Sequence, residues 1–376
     1  MPEDAPTTGR SLRSLITSDG ELRLSLTERP FPDVGDGQVV VAVEASPINP
    51  SDLGVLLGAA DPRELVADGE DLAGRIGPAA LPLYRDRLDK PLPVGNEGAG
   101  TVVAAGAGAE SMIGKRVALF GGSMWADYRV ADAAALVELP DDVSTAEGAA
   151  LFINPLTALS MVETMRAEGH TALVHTAAAS NLGRMLVRIC AADGVGLVNV
   201  VRSDEPVQVL RDIGATHVVN SSLPDFADRL TEAISDTGAT LGFDAVGGGS
   251  LAGDILTAME RAQPPLSTWT PYGSTTHKQV YIYGSLDFGP TVIERRFGLT
   301  WGLGGYLLTN ALGRLGGEAI GRMRARVLAE AKTTFHSSYA ETIGLAGVLD
   351  QATLSVCSRR STGTKYLIDP SRDRPR

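Results

Sequence analysis

The sequence predicts an α/β chain in which a β-rich N-terminal part precedes a doubly wound parallel sheet. Three observations carry that reading. Ala172–Arg202 runs as an apolar stretch, a small-residue turn, an amphipathic segment and a second apolar stretch. From Glu147 to about Gly284, helical and strand periods alternate, the pattern of a parallel sheet with crossover helices. Before that, short apolar alternations are separated by glycine-marked turns, with no sustained helical period.

Taken in order, Gln38–Ser46 places Val39, Val41 and Val43 on one strand face, and Gly98–Ala105, Arg116–Phe120 and Ala126–Val130 read as further strands. Asp61–Lys90 interrupts them with proline, glycine and charge. It reads as an inserted loop or small helical excursion, the kind of segment that often serves as a lid. A helix is expected over Leu151–Glu168. Ala172–His175 and Leu197–Val201 are continuous apolar runs, as in strands covered on both faces. Between them Leu182, Met185, Leu186, Ile189 and Cys190 form one helical stripe. The remaining expectations are helices over Pro206–Ile213, from Pro224 to Gly238, up to about Ala262 and over Glu318–Lys332. Strands are expected at His217–Asn220, Leu241–Val246, Gln279–Gly284 and Gly363–Ile368.

The Ala172–Arg202 unit is the first half of a dinucleotide-binding fold, in which N–H groups at a helix start approach a pyrophosphate. Only Gly183 stands where G-x-G-x-x-G requires a glycine, the one that lets helix and strand pack closely. Ala178, Ala179, Ser180 and Asn181 fill the neighbouring positions. The competing reading is an ordinary crossover with a small-residue turn. Arg202 follows the second strand, where NAD-selective folds carry an acid for the ribose 2′-hydroxyl. A guanidinium there grips a 2′-phosphate instead, and Ser203 adds a hydroxyl, so NADPH is the expected cofactor. Asp204 is the counter-candidate, as the acid of an NAD site or as a helix N-cap.

At 376 residues the chain is long enough for two cores. A net charge of −12 with no basic stripe argues against a nucleic-acid partner. Cys190 and Cys357 are too few for a disulfide framework or a cysteine-rich zinc lobe, and Cys190 reads as a buried, inert thiol. The five histidines show no metal spacing; His175, His217, His277 and His336 read as satisfied or surface residues. The opening MPEDAPTTGR carries acids and no apolar run, so neither a signal nor a transit peptide is expected. No apolar stretch reaches membrane-spanning length, which makes a cytoplasmic location the expectation.

Five stretches are jointly specific: INPSD at Ile48–Asp52, PVGNEGAGTVVAAG at Pro93–Gly106, NPLTA at Asn154–Ala158, IGATHVVNSS at Ile213–Ser222 and TGTKYLI at Thr362–Ile368. Through them nearly the whole chain resembles the medium-chain dehydrogenase/reductase superfamily. The resemblance implies a GroES-like β-barrel catalytic domain over residues 1–146 and a Rossmann NADP(H)-binding domain over 147–310. Residues 311–376 would complete the first, with the active site between the two. The positions resembling the catalytic-zinc Cys and His ligands hold Asn49 and Asn96, so no metal is expected. The match is to the zinc-independent quinone oxidoreductase and 2-enoyl thioester reductase branch. GNEG at Gly95–Gly98, NVVR at Asn199–Arg202 and the later YIYGSLDFGP resemble the enoyl reductases.

For the site, the resemblance implies Asn49 near the nicotinamide and Tyr84 as a proton donor, Tyr84 lying twelve residues before Asn96 as in the family. It puts Asn154 and Thr157 beside the nicotinamide, and Ser180, Asn181, Leu182, Arg202, Ser203, Tyr283 and Gly284 around the cofactor. Each has a plainer alternative: a turn asparagine bonding its own backbone for Asn49, a loop aromatic for Tyr84, helix capping for Asn154 and Thr157. Asp52 reads as structural, and Trp125 and Tyr128 either wall the substrate pocket or belong to a core. The expected reaction is NADPH-dependent reduction of an activated C=C bond in a small-molecule acceptor. Quinone reduction is the second reading, and a non-catalytic NADP(H)-binding regulator the third. Phe297–Leu308 reads as a sixth strand whose open edge would pair across a homodimer axis.

Overall fold

In the computed structural model, which describes residues 8–30, 34–265, 269–358 and 365–374, the chain divides into two compact units. One comprises Met1–Ile153 with Glu330–Arg376, the other Asn154–Ala329. These boundaries lie beyond the 147 and 311 expected from sequence. Thr145–Gly148 forms a short helix, closed by a capping box between Ser144 and Glu147, that packs on strands of the first unit. Residues up to Ala329 stay with the second unit, where Arg166 and Arg326 share the Asp193 carboxylate.

The first unit opens with β1 (Thr8–Ile16), β2 (Glu21–Pro30), β3 (Gln38–Pro47) and α1 (Pro50–Leu57). In β1 and β2, Leu12, Ile16, Leu22 and Leu24 are fully buried on one face. Then come β4 (Val66–Asp68), β5 (Asp71–Arg75), β6 (Leu92–Pro93), β7 (Glu97–Ala105), β8 (Arg116–Phe120), β9 (Tyr128–Asp132), β10 (Val137–Glu138) and α2 (Thr145–Gly148). The expected 61–90 insertion is a hairpin, β4–β5, that extends the first sheet to the order β4-β5-β2-β1-β6, followed by a 3₁₀ segment at Leu81–Arg87. Only Leu72 of β5 is buried, so the strand period was too weak to see in the sequence.

The second unit starts with α3 (Ile153–Ala167) and β11 (Ala172–Thr176), and continues α4 (Asn181–Asp193), β12 (Gly196–Val201), α5 (Glu205–Asp212), β13 (His217–Asn220), α6 (Phe226–Thr237), β14 (Leu241–Asp244), β15 (Gly247–Gly249), α7 (Leu251–Arg261), β16 (Lys278–Ile282), β17 (Asp287–Thr291), β18 (Trp301–Gly305) and α8 (Leu308–Ala329). Six strands form one parallel sheet in the order β13-β12-β11-β14-β16-β18. The order reverses between β11 and β14, the switch point outside which such sheets bind ligands. Helix α8 begins ten residues before the expected Glu318 and leaves helical geometry at Gly316, whose φ is 82°.

The chain then returns to the first unit through β19 (Glu341–Ile343), α9 (Gln351–Ser358) and β20 (Tyr366–Ile368). β20 pairs antiparallel with β3, and the second sheet runs β10-β8-β7-β3-β20-β19, with β9 also on β3. Strand pairing leaves two open sheets touching at the bridge Ser11–Ala126, rather than the closed barrel expected. Both β6 and β10 are two residues long, and Pro93 in β6 has no N–H to donate. Trp125 is fully buried as a core aromatic, and the Arg374 guanidinium lies 4.7 Å from the Tyr128 ring centroid. Residues 1–7 of the opening stretch, and Gly363 and Thr364 of the expected last strand, lie outside the described residues. Among the described residues no helix is long and apolar enough to cross a membrane.

Candidate active site

In the second unit, β11 is buried along its whole length and ends in the turn Ala177–Ser180. Ala177 adopts φ 50°, a left-handed conformation that costs a non-glycine residue roughly 1 kcal/mol or more. Ser180 is the N-cap of α4, its Oγ accepting from the Gly183 N–H at 3.1 Å. A Cβ on Gly183 would collide with the Ala178 carbonyl oxygen, so glycine is required there for close packing. Asn181 is half-buried at the helix start, whereas the Leu182 side chain turns into the core at 7% exposure. Leu182 therefore presents only its backbone at this turn.

Arg202 and Ser203 follow β12 and are exposed, and among the described residues Arg202 makes no hydrogen bond or ion pair. Asp204 stands at the N-cap position of α5 but its side chain does not cap the helix. Its Oδ1 instead accepts from Asn220 Nδ2 at 2.8 Å. A tight small-residue turn at a helix start, with an unpaired guanidinium at the end of the neighbouring strand, fits the phosphates of NADPH.

At the other half of the sheet, Tyr283 Oη lies 2.8 Å from His175 Nε2 and the two rings stack. Burial holds the imidazole down to about 3 and pushes the phenol up. Thr176 Oγ1 donates to Asp244 at 2.7 Å, and Asp244 in turn accepts from the Val246 and Gly247 N–H groups. Gly284 passes so close to Ala245 that a Cβ would sit 2.6 Å from its carbonyl oxygen. A cavity of about 500 Å³ opens at the ends of β16 and β18, lined by Tyr283, Gly284, Ser285, Tyr306, Asn310 and Arg314 among others. Asn154 and Thr157 lie in the first turns of α3, Asn154 half-buried and Thr157 at 7% exposure.

In the first unit, Asn49 is the N-cap of α1 and is 2% exposed. Its N–H donates to Asp52 Oδ2 at 2.8 Å and its Nδ2 to Glu97 Oε1 at 2.9 Å; its Oδ1 has no partner among the described residues. Asn96 is drawn into the same network: its N–H donates to Asp52 Oδ1 and its Nδ2 to Ser51 Oγ. Glu97 Oε2 accepts from the Phe152 and Ile153 N–H groups. Burial raises Asp52 to about 7 and pushes the Glu97 carboxyl up, against the pull of Lys365. Lys365 is pulled down by burial, while both acids oppose that shift. Glu97 and Lys365 were not singled out in the sequence, although a lone acid inside the small-residue run GNEGAG was a signal.

Tyr84 lies on the 3₁₀ segment Leu81–Arg87, its ring packed where a Gly58 Cβ would meet it at 3.3 Å. Gly58 caps the C-terminal end of α1, and Asn49 its N-terminal end, nine residues and about 13.5 Å away along the helix. The structure thus brings Asn49, Asp52, Asn96 and Glu97 together and leaves Tyr84 in the apolar cluster around Ile16 and Ile76.

Comparison with known proteins matches this architecture along most of the chain. Residues 35–141 match the alcohol dehydrogenase GroES-like domain, and residues 182–262 the family described as zinc-binding dehydrogenase. A mitochondrial enoyl-[acyl-carrier-protein] reductase of Caenorhabditis elegans is 28% identical over 264 residues, 68% of either chain. The synaptic vesicle membrane protein VAT-1 homolog of Rattus norvegicus is 32% identical over 252 residues, which are 64% of this chain and 55% of that one. A candidate NADPH:quinone reductase of Mesorhizobium loti superposes with a TM-score of 0.72 at 27% identity, covering 97% of this chain and 99% of that one. The chain belongs to the medium-chain dehydrogenase/reductase superfamily.

Proposed function

We propose that the protein is an NADPH-dependent, zinc-independent reductase of an activated C=C bond, in an enoyl thioester or an α,β-unsaturated carbonyl compound. The observation that carries the cofactor half is the exposed, unpaired Arg202 at the end of β12 beside the Ala177–Gly183 turn. The enoyl reductase and candidate NADPH:quinone reductase among the similar proteins support the reaction half. When bound, NADPH would supply the hydride for the β-carbon of the acceptor, and a proton would complete the α-carbon. In this reading Arg202 and Ser203 hold the 2′-phosphate, and the backbone of Ser180–Leu182 faces the pyrophosphate. Tyr283 and Gly284 border the nicotinamide, with Asn154 and Thr157 beside it. Asn49 enters as a candidate for the reaction itself on the family resemblance, its Oδ1 having no partner among the described residues. Its Nδ2 is held by Glu97, an arrangement built from carboxamides rather than thiolate and imidazole ligands.

Quinone reduction is the second reading, favoured by one observation. Tyr84, the tyrosine expected to donate the proton, packs on Gly58 at the far end of α1 from Asn49, and a quinone needs no dedicated side-chain acid. In the enoyl reading the proton comes from Tyr84 after a local rearrangement or from a held water. A homodimer formed along β18 belongs to the same proposal. That strand is the open end of the sheet, and Leu299 and Leu307 beside it are 64% and 60% exposed. NADPH oxidation against crotonyl-CoA, simple enones and quinones tests the reading: turnover with the first two supports it, and turnover with quinones alone favours the second. Tight NADPH binding with no turnover on any acceptor overturns both in favour of a nucleotide-binding regulator.

A further inference from the structure

Asp204 follows Arg202 by two residues, yet it neither caps α5 nor pairs with Arg202. It is held by Asn220, the last residue of β13, which stands beside Val201 in the parallel register of β12 and β13. Asn220 is 5% exposed. Its Oδ1 accepts both the N–H and the hydroxyl of Ser222, each at 2.9 Å. That fixes the amide's orientation: a backbone N–H can only donate and an ionised carboxylate can only accept, so oxygen faces Ser222 and nitrogen faces Asp204. Turning the amide over would break two hydrogen bonds at once, those with the Ser222 N–H and with Asp204.

The geometry points to Asn220, set by Ser222, as a lock on nucleotide choice: it holds the Asp204 carboxylate on the β13 side, leaving Arg202 unpaired for a 2′-phosphate. This rests on the reading of Arg202 given above. A released Asp204 has two courses, and both erode the preference. It can pair with Arg202 and neutralise the phosphate site, or it can accept from a ribose 2′-hydroxyl in the manner of NAD-selective folds. Asn220 is thus a positioning residue, acting on the nucleotide only through the acid it restrains. The lock selects adenosine nucleotides that carry a 2′-phosphate over those with a free 2′-hydroxyl.

The test uses calorimetric titration with adenosine 2′,5′-bisphosphate and with AMP, so no turnover is needed. Asn220→Ala should weaken adenosine 2′,5′-bisphosphate about tenfold and leave AMP unchanged or tighter. Asp204→Asn alone should change little, because its charge is already withheld. The Asn220→Ala/Asp204→Asn double variant should recover most of the lost affinity. It carries the same cavity as Asn220→Ala, so its recovery separates a lost lock from a damaged fold, and thermal unfolding of each variant checks this. An Asn220→Ala protein that keeps the wild-type preference overturns the lock alone, as does a double variant that fails to recover. A wild-type protein that binds both nucleotides alike removes the Arg202 reading and the lock with it.

Discussion

His175 and Tyr283 are bound to each other across the nucleotide-binding unit: Nε2 and Oη are 2.8 Å apart and the ring centroids 5.7 Å, at the C-terminal ends of β11 and of β16. Both groups are neutral, since burial depresses the imidazole and raises the phenol. His175 Nδ1 has no partner among the described residues, so the phenol is the ring's one hydrogen bond. Tyr283→Phe would strand a fully buried imidazole with two unsatisfied nitrogens. We expect it to cost about 1–3 kcal/mol, measured by urea unfolding of the second unit's signal. A loss below a few tenths would mean that water satisfies the ring.

The same histidine and Asp52 give the two units opposite pH dependences. His175 has its folded pKa lowered to about 3 from 6.5, so its contribution is present above pH 6.5 and is lost as pH falls toward 3. Asp52 has its folded pKa raised to about 7 from 3.8, so its contribution is present below pH 3.8 and is lost as pH rises through 7. Each proton corresponds to about 1.4 kcal/mol per pH unit across its window. His175→Gln should flatten the acid limb of stability against pH, and Asp52→Asn the limb between pH 4 and 7. Unchanged slopes in both variants would contradict the assignment.

Arg202→Ala should weaken NADPH by about 1.5–3 kcal/mol, the size of a charge-assisted contact, and NADH hardly at all. Fluorescence titration with each nucleotide decides it. Equal weakening of the two would sink the 2′-phosphate role.

How much of this was legible in the sequence depended on whether a signal was local. The strands of the parallel sheet and their crossover helices from Ala172 to Ile282 were readable, because β11 and β12 are mostly apolar and α4 and α6 end on glycines in the left-handed conformation, whereas the three-residue, all-glycine β15 was not. The β4–β5 hairpin was not, since most of its side chains face solvent. The Asn49–Glu97–Lys365 grouping was equally hidden. Those residues are far apart in sequence, and Lys365 comes near Glu97 and Asp52 just before β20, the strand that pairs with β3. Asp204 shows the limit most plainly: both of its readings, cap and cofactor acid, came from its neighbours in sequence, while its actual partner arrives from the adjacent strand.

The purified protein should contain no zinc, and chelators should leave its activity intact. The basis is the family resemblance, which sets Asn49 and Asn96 at the positions of the zinc-ligating Cys and His, together with both amide nitrogens donating to neighbours. Metal analysis finding one tightly bound zinc per chain, removable only with loss of activity, would overturn this.

Leu303→Lys in β18 or Leu307→Lys just beyond it should yield monomers if that edge joins two copies of the chain. Sedimentation at micromolar concentration gives the answer, and a wild-type mass of one chain would refute the dimer itself.

The nucleotide-binding unit is spliced into the other one, entering after Ile153 and leaving at Ala329. The inserted unit is continuous in sequence, so it can reach its final form while the part of its host from Glu330 onward is still being made. Until residues 365–368 emerge, β3 lacks the strand that pairs with Ser46 and Pro47. Asp52 and Glu97 likewise await the cation that opposes their burial. The pairing of β20 with β3 closes contacts spanning more than three hundred residues of chain, the kind whose entropy cost slows folding.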